Sequence, residues 1–462
     1  MIEEFVFQKI RVRDLGKKAA IEKWNLRIKD LIVNANYIFS DGQCLYCRVK
    51  RLLYERLGDD ANRKLRELFF DEDAQACVGR AEMDSIIQDL IVDARLTKKQ
   101  GILNAEKYIN FKNGVFDMDL ERLLTKAELE VLHLHFTYEI AADYIDEKEN
   151  ENAPSTFANF LQTSLACKYG DPMAIYFMEN IGFLLSSDNS QRKAVAFLGA
   201  PASGKSTFAN FLDRLIWPRK EVSHVSFQDL GRPFYTAKIA RAKLNVGDEM
   251  SRCPSRAVAY FKEITSGGTL PAEEKYKNPI DLKVNVRQVY TANRFPSFGA
   301  ENSAAVFDRL NIIRFHRTIE EKDRIRQLLE KLWMERDAIV SESVRCFTKI
   351  RKKNGVFSVP KEISELRRRL ENSENSVQMF VKEELIFDMK NTGLSCRDIY
   401  EKYQELYAKR SLVKEEKDAI REEIVYRFQF ENGQDVDYKK LKISRKSLWG
   451  FSHLKFQEEE AR

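Results

Sequence analysis

The sequence predicts an α/β core, a mainly parallel sheet flanked by helices, with a mainly helical region before it and a small C-terminal domain after it. Short apolar runs of strand length recur through the middle of the chain, at Ala194–Leu198, Ala242–Asp248 and Lys283–Thr291, separated by stretches of helical period. The first run breaks at Gly199 into a glycine loop that leads directly into a helix. The first hundred residues instead space their apolar positions by threes and fours, as in Ile21, Trp24, Ile28, Leu31 and Ile32.

Composition bounds the class. The chain has 462 residues, 44% hydrophobic and 32% charged, enough for two to four domains with sizeable cores and unlike a disordered protein. There is no run of 18 apolar residues, and Met1-Ile2-Glu3-Glu4-Phe5 does not resemble a signal peptide. The expectation is a cytoplasmic protein, in a bacterial or host cell, with no membrane partner. Seven scattered cysteines, an odd number, argue for reduced thiols. Cys44-x-x-Cys47 lacks the further ligands of a zinc site and reads as structural.

In chain order, residues 1–100 form a helical accessory or partner-binding domain. In the following region, 101–185, Asn113-Gly114 lies between two strand-like runs and signals a hairpin, with Asp117 and Asp119 at its end. These acids read as a polar hairpin end rather than a metal pair, since no third carboxylate is near. His133 and His135 alternate with Leu132, Leu134 and Phe136, which places them on the solvated face of a strand. An acidic loop at 146–154 is followed by two helices between Phe157 and Leu185.

Residues 186–342 carry the chemistry. Gly199-Ala200-Pro201-Ala202-Ser203-Gly204-Lys205-Ser206 has the spacing of a phosphate-binding loop, and Thr207 continues it into a helix. Backbone N–H groups of such a loop, at the positive end of a helix, cradle phosphates. Lys205 would reach the β- and γ-phosphates of ATP, and the Ser206 hydroxyl would bind Mg²⁺. Asp248-Glu249 ends the next strand, where Asp248 would hold Mg²⁺ and Glu249 would polarise an attacking water. Asn293, at the tip of the strand after that, would orient the water. Arg309 stands just before a fourth strand, from which it could neutralise transition-state charge in a neighbouring subunit.

Past this region, residues 343–370 hold nine Lys or Arg (345, 349, 351, 352, 353, 361, 367, 368 and 369) against Glu362 and Glu365, so 343–372 reads as a basic linker. Such a stretch either tracks phosphates or is a solvated helix face. In 373–462, Ser395-x-x-Asp398 is a capping box that opens a helix, and Ser411 opens another. Tyr438 to Phe456 alternates basic and apolar residues, as the wing of a DNA-contacting domain does.

Taken in order, these elements resemble a superfamily 3 helicase, the compact AAA+ ATPases of small viruses, phages and plasmids. From about Ile102 onward the chain is similar to the poxvirus-type ATPase module of phage and plasmid primase-helicases. The resemblance rests on Asn110-Phe-Lys-Asn-Gly-Val-Phe-Asp117, Asn180-Ile-Gly-Phe-Leu-Leu185, and the segment from Phe261 through Gly267, Gly268 and Leu270 to Lys277. It implies an AAA+ P-loop core, a winged-helix-like C-terminal domain and a ring, expected to be a hexamer, that moves along single-stranded or forked DNA. By the same carry-over, Lys275 and Lys277 would touch DNA phosphates and Tyr276 would pack or stack against the strand. Two departures stand out. Gly268 occupies a position where the family commonly has Asp, and no primase metal site precedes the module, so a separate primase or replication protein is the expected partner of the N-terminal region. The same ATP site would also serve an origin-binding or loading ATPase, a small-molecule kinase, or an inactive scaffold. A kinase, however, has no use for a donated arginine, and the expected catalytic side chains are all present.

Overall fold

The computed structural model describes residues 9–15, 21–50, 52–97, 102–146, 154–250, 254–273, 280–295, 305–316, 318–353, 355–408, 411–412, 414–443 and 446–457. The fold is mixed α/β. It divides into two compact units, one of Met1–Asp146 with Leu215–Glu221 and one of Glu147–Arg214 with Val222–Arg462. This is coarser than the five segments expected, and the division at residue 146 falls inside the 101–185 region.

The first unit is less helical than its periodicity suggests. Helices Ile21–Asn34, Ala61–Phe69 and Arg80–Ile91 bury Trp24, Ile28, Ile32, Leu65, Phe69, Ile86 and Leu90 in one core. Between them, however, lies an antiparallel sheet of Ile38–Ser40, Leu45–Arg48 and Tyr54–Arg56. Its first turn is set by Asp41, whose Oδ1 accepts from the N–H groups of Gln43 and Cys44, and by Gly42 at φ +86°. Cys47 is buried on this sheet, and Cys44 accepts a hydrogen bond from Arg56 (3.5 Å). Among the described residues no group of three His, Cys, Asp or Glu side chains could hold a metal ion.

The expected hairpin forms between Tyr108–Phe111 and Gly114–Asp117, with Phe111 opposite Gly114. Its turn is therefore centred on Lys112 and Asn113, one residue earlier than the Asn-Gly signal. The Asn113 amide is engaged elsewhere, donating to Tyr144 O (2.8 Å) and accepting from Tyr144 N–H (2.9 Å). Asp117 is buried and accepts from the N–H groups of Asp119 and Leu120, so this acid closes a turn. His135 departs from the expected solvated face: its ring stacks on Phe39 (4.8 Å) and lies against Tyr54 (4.3 Å), and burial pushes its pKa down to about 4.

The second unit is built on a five-stranded sheet. Its strands are β1 (Ala194–Gly199), β2 (Val222–Ser223), β3 (Leu244–Gly247), β4 (Arg287–Ala292) and β5 (Leu310–Phe315), in the spatial order β2-β3-β4-β1-β5. Every neighbouring pair is parallel. A parallel sheet must be covered on both faces, which explains the near-continuous apolar runs of β1 and β5. A cluster of Phe157, Phe160, Phe177, Phe197, Phe208 and Phe315 joins helices Ser155–Ser164, Pro172–Leu185 and Lys205–Leu215 to β1 and β5. A second core gathers Phe227, Val258, Phe261, Ile264 and Tyr290, bringing in helix Ser255–Thr265.

Two expectations in this unit need correction. The run expected as one strand over 283–291 is divided. Ile280–Lys283 pairs antiparallel with Thr269–Ala272, and only Arg287–Ala292 enters the main sheet. The segment 343–372 is not a linker. Helix Arg336–Lys352 packs along helix Pro172–Leu185, burying Val344, Phe347 and Ile350, and Gly182 admits the Ser343 carbonyl where any Cβ would lie 2.2 Å from it. Helix Lys361–Glu384 then runs across the expected boundary at 372. Part of the basic run is paired within the unit: Arg345 with Glu342, Arg351 with Asp188, and Arg367 with Asp308 and Glu371.

The C-terminal region has its own core of Phe380, Ile399, Tyr403, Ile420, Ile424, Phe451 and Leu454. Helix Cys396–Tyr403 starts where expected, with Ser395 Oγ accepting from Asp398 N–H (3.2 Å). Helix Lys414–Val425 follows, then the antiparallel strands Tyr438–Ile443 and Lys446–Phe451. Among the described residues, no helix is long and apolar enough to cross a membrane.

Candidate functional site

Ligands of parallel α/β sheets sit outside the carboxyl ends of the strands, and β1 ends at the glycine loop. Gly199 is required there because a Cβ would come 2.3 Å from the Phe315 carbonyl, closing the gap between the tips of β1 and β5. The loop then turns through left-handed conformations at Ala202 (φ +57°) and Gly204 (φ +97°). At Gly204 a Cβ would also lie 2.8 Å from Ser164 Oγ, so glycine suits both the backbone and the space. From the far side, Thr318 Oγ1 donates to Pro201 O and Ile319 N–H to Ala202 O, each at 3.0 Å. These two residues fix the loop, and no local sequence signal marks them.

Lys205 begins the helix that follows. Its Nζ donates to Gly199 O (2.6 Å), Ala200 O (2.7 Å) and Ser203 Oγ (3.3 Å), which folds the ammonium back over the mouth of its own loop. Burial lowers its pKa, while the Glu249 carboxylate acts in the opposite direction. Ser206 is exposed at the second position of the helix, and Thr207 is half-buried.

Because β3 and β4 run parallel to β1, their tips arrive at the same edge. Asp248 and Glu249 follow the last residue of β3 and are both exposed. The chain beyond them is pinned by Met250 N–H donating to Thr291 O (2.9 Å) on β4. Asn293, just past β4, donates from Nδ2 to Glu249 Oε1 (3.2 Å). The strand bearing Asn293 lies between the loop strand and the acidic strand, a placement that spacing along the chain does not reveal. One edge of the sheet thus gathers Gly199 to Thr207, Asp248, Glu249 and Asn293.

Arg309 is not at that edge. Leu310 pairs with Ala194 at the start of both strands, and Ala194 N–H donates to Arg309 O (2.7 Å). Six residues separate this end of β5 from the loop end, about 20 Å at about 3.3 Å per residue. Its guanidinium donates to Ala305 O (3.0 Å), and among the described residues the buried Nε finds no hydrogen-bond partner.

Lys275, Tyr276 and Lys277 lie outside the described residues, in the connection between strands Thr269–Ala272 and Ile280–Lys283. At the base of that hairpin, a Cβ on Gly268 would lie 1.7 Å from Glu263 Oε1. The Glu263 carboxylate therefore occupies the space that a side chain at 268 would take. Sequence reasoning also missed Arg294, next to Asn293, which pairs with Asp418 on helix Lys414–Val425. Asp418 in turn pairs with Arg421.

Residues 197–309 match a family of unknown function (DUF5906). A candidate helicase of Acanthamoeba polyphaga mimivirus is 22% identical over 329 residues, which is 65% of this chain and 33% of the viral protein. This chain thus spans about a third of the length of that relative. Two structures of the NrS-1 C-terminal region align over 91% of this chain and 97% of theirs, at 10% identity and TM-scores of 0.44 and 0.43.

Proposed function

We propose that this protein is a replication helicase of the superfamily 3 AAA+ type, an ATPase that works as a ring, expected to be a hexamer, on single-stranded DNA. The observation that carries this reading is the division of one sheet into two functional ends. The glycine loop, acidic pair and asparagine stand at the carboxyl edge, and the arginine that completes such a site stands about 20 Å away at the other. A subunit so built supplies most of one site and the missing charge of another. The similarity to a viral candidate helicase supports the same reading.

Within one site, Lys205 would release the loop carbonyls and turn to the β- and γ-phosphates, whose charge offsets the loss of those hydrogen bonds. Backbone N–H groups of the loop and the start of helix Lys205–Leu215 bind the same oxygens. Glu249, positioned by Asn293, would accept a proton from the attacking water. Ser206 and Asp248 offer a hydroxyl and a carboxylate, exposed and at one edge, a hard-oxygen set that suits Mg²⁺ with water completing its shell. Mg²⁺ held there would supply charge neutralisation on the phosphates. Lys275, Tyr276 and Lys277 would grip the DNA backbone, with little sequence preference.

The test is ATP turnover measured with and without a single-stranded oligonucleotide, together with displacement of a strand from a forked duplex. DNA-stimulated turnover that drives displacement is expected and should vanish in Lys205→Ala. Turnover indifferent to DNA, or stimulation without displacement, would remove the helicase reading.

A further inference from the structure

The hairpin of Tyr438–Ile443 and Lys446–Phe451 turns an unusual face to solvent. Its register sets Lys440 opposite Trp449 and Lys442 opposite Ser447, so Tyr438, Lys440, Lys442, Ser447 and Trp449 share one face. Tyr438 and Trp449 stack across the strands with centroids 5.1 Å apart and ring planes 21° apart. The pair is not buried: Trp449 is 51% exposed and Tyr438 40%. Phe451, opposite Tyr438 on the same face, is buried and lies 5.2 Å from its ring, so this end of the face enters the C-terminal core and anchors the stack.

Cations frame these rings. Lys440 Nζ lies 5.8 Å from the Trp449 centroid, and the Arg421 guanidinium lies 5.7 Å from that of Tyr438 while donating to its hydroxyl (3.3 Å). From Tyr438 to Phe456 the sequence holds six Lys or Arg and no acid. Leaving a tryptophan and a tyrosine in water forgoes their burial, and large amphipathic rings concentrate where a partner covers them. The ligand that needs both a flat apolar face and a row of cations is a chain of bases on phosphates.

We propose that this face is a single-stranded DNA platform, on which an unpaired base stacks on Trp449 while Lys440 leaves the ring for the adjacent phosphate and Lys442 takes the next. Duplex DNA does not suit the site, because its bases are already stacked and their faces are not accessible. The platform uses none of the residues assigned to the ATP site or to the Lys275–Lys277 loop, and it goes beyond the proposed function because it requires no nucleotide.

The experiment is fluorescence anisotropy of a labelled thymidine 20-mer with the full chain, without nucleotide, over a salt series, using wild type, Trp449→Ala, Trp449→Phe, Lys440→Ala and Lys205→Ala. Alanine at 449 should weaken binding about ten- to hundredfold, the range of a lost base stack, while phenylalanine stays within about threefold of wild type. Lys440→Ala should reduce the salt slope by about 0.7. A blunt duplex of the same length should bind Trp449→Ala as it binds wild type, and DNA-free ATP turnover of that variant should be unchanged. Wild-type affinity in Trp449→Ala, equal losses in the alanine and phenylalanine variants, equal losses on the duplex, or tighter binding of a uridine 20-mer would each overturn the proposal. Lys205→Ala should bind the oligonucleotide as wild type does. If wild type binds in this way but turns over no ATP, the proposed function falls and the platform stands.

Discussion

Replacing Arg309 by alanine separates a shared ATP site from a self-contained one by magnitude alone. The guanidinium lies about 20 Å from the loop of its own subunit. At that distance a unit charge contributes only about 0.2 to 0.8 kcal/mol for effective dielectric constants of about 80 to 20, less than about fourfold in rate. Placed about 4 Å from a developing phosphate charge in a neighbouring site, the same charge is worth about 4 kcal/mol, roughly a thousandfold. The assay is steady-state ATP turnover of Arg309→Ala, of Lys205→Ala and of their equimolar mixture after reassembly. Each variant alone should lose about a thousandfold or more. In a mixed ring, about a quarter of the seams pair an intact Lys205 with an intact Arg309, so activity should return to about a quarter of wild type. Retention of half the wild-type rate by Arg309→Ala, or a mixture no more active than the sum of its parts, would refute the reasoning.

Other positions give independent tests. Gly182→Ala should lower stability by about 1–3 kcal/mol, because its Cβ would lie 2.2 Å from Ser343 O and helix Arg336–Lys352 would have to move; urea unfolding reads this directly. Asp418→Ala leaves Arg294 and Arg421 without their shared carboxylate and should reduce DNA stimulation of ATP turnover while DNA-free turnover stays near wild type. His135 is held neutral, with a folded-state pKa of about 4 below the ordinary 6.5. Stability from this site is therefore present above pH 6.5 and is lost as pH falls toward 4, since the unfolded chain then binds the proton first. His135→Phe should flatten the melting temperature of the first unit across that interval.

What the sequence revealed was local chemistry. The glycine loop, the cap at Ser395 and the apolar runs of β1, β3 and β5 each depend on residues within a few positions of one another. The features that were not legible depend on partners far along the chain. Val284 and Val286 continue the alternation of a strand, yet Ile280–Lys283 is drawn away because Thr269–Ala272 offers it an antiparallel edge. The charge run after Ser343 hides the helical spacing of Val344, Phe347 and Ile350, which is what packs against Pro172–Leu185. The order of the sheet, with β4 between β1 and β3, is what sets Asn293 beside Glu249. In the terminal hairpin the residues were visible but their register was not, and a shift of one residue would have turned Trp449 to the other face. Arg309 shows the opposite case: its place just before a strand is read from the sequence, and the pairing of Leu310 with Ala194 sets it at the end of β5 away from the loop.

The central claim, that ATP is cleaved at seams between subunits, is tested most directly by turnover per subunit measured across protein concentration, alongside particle mass. A shared site predicts that specific activity rises from near zero as particles of 53.9 kDa give way to rings several times heavier. Constant turnover per subunit from 53.9 kDa particles at every concentration would contradict it.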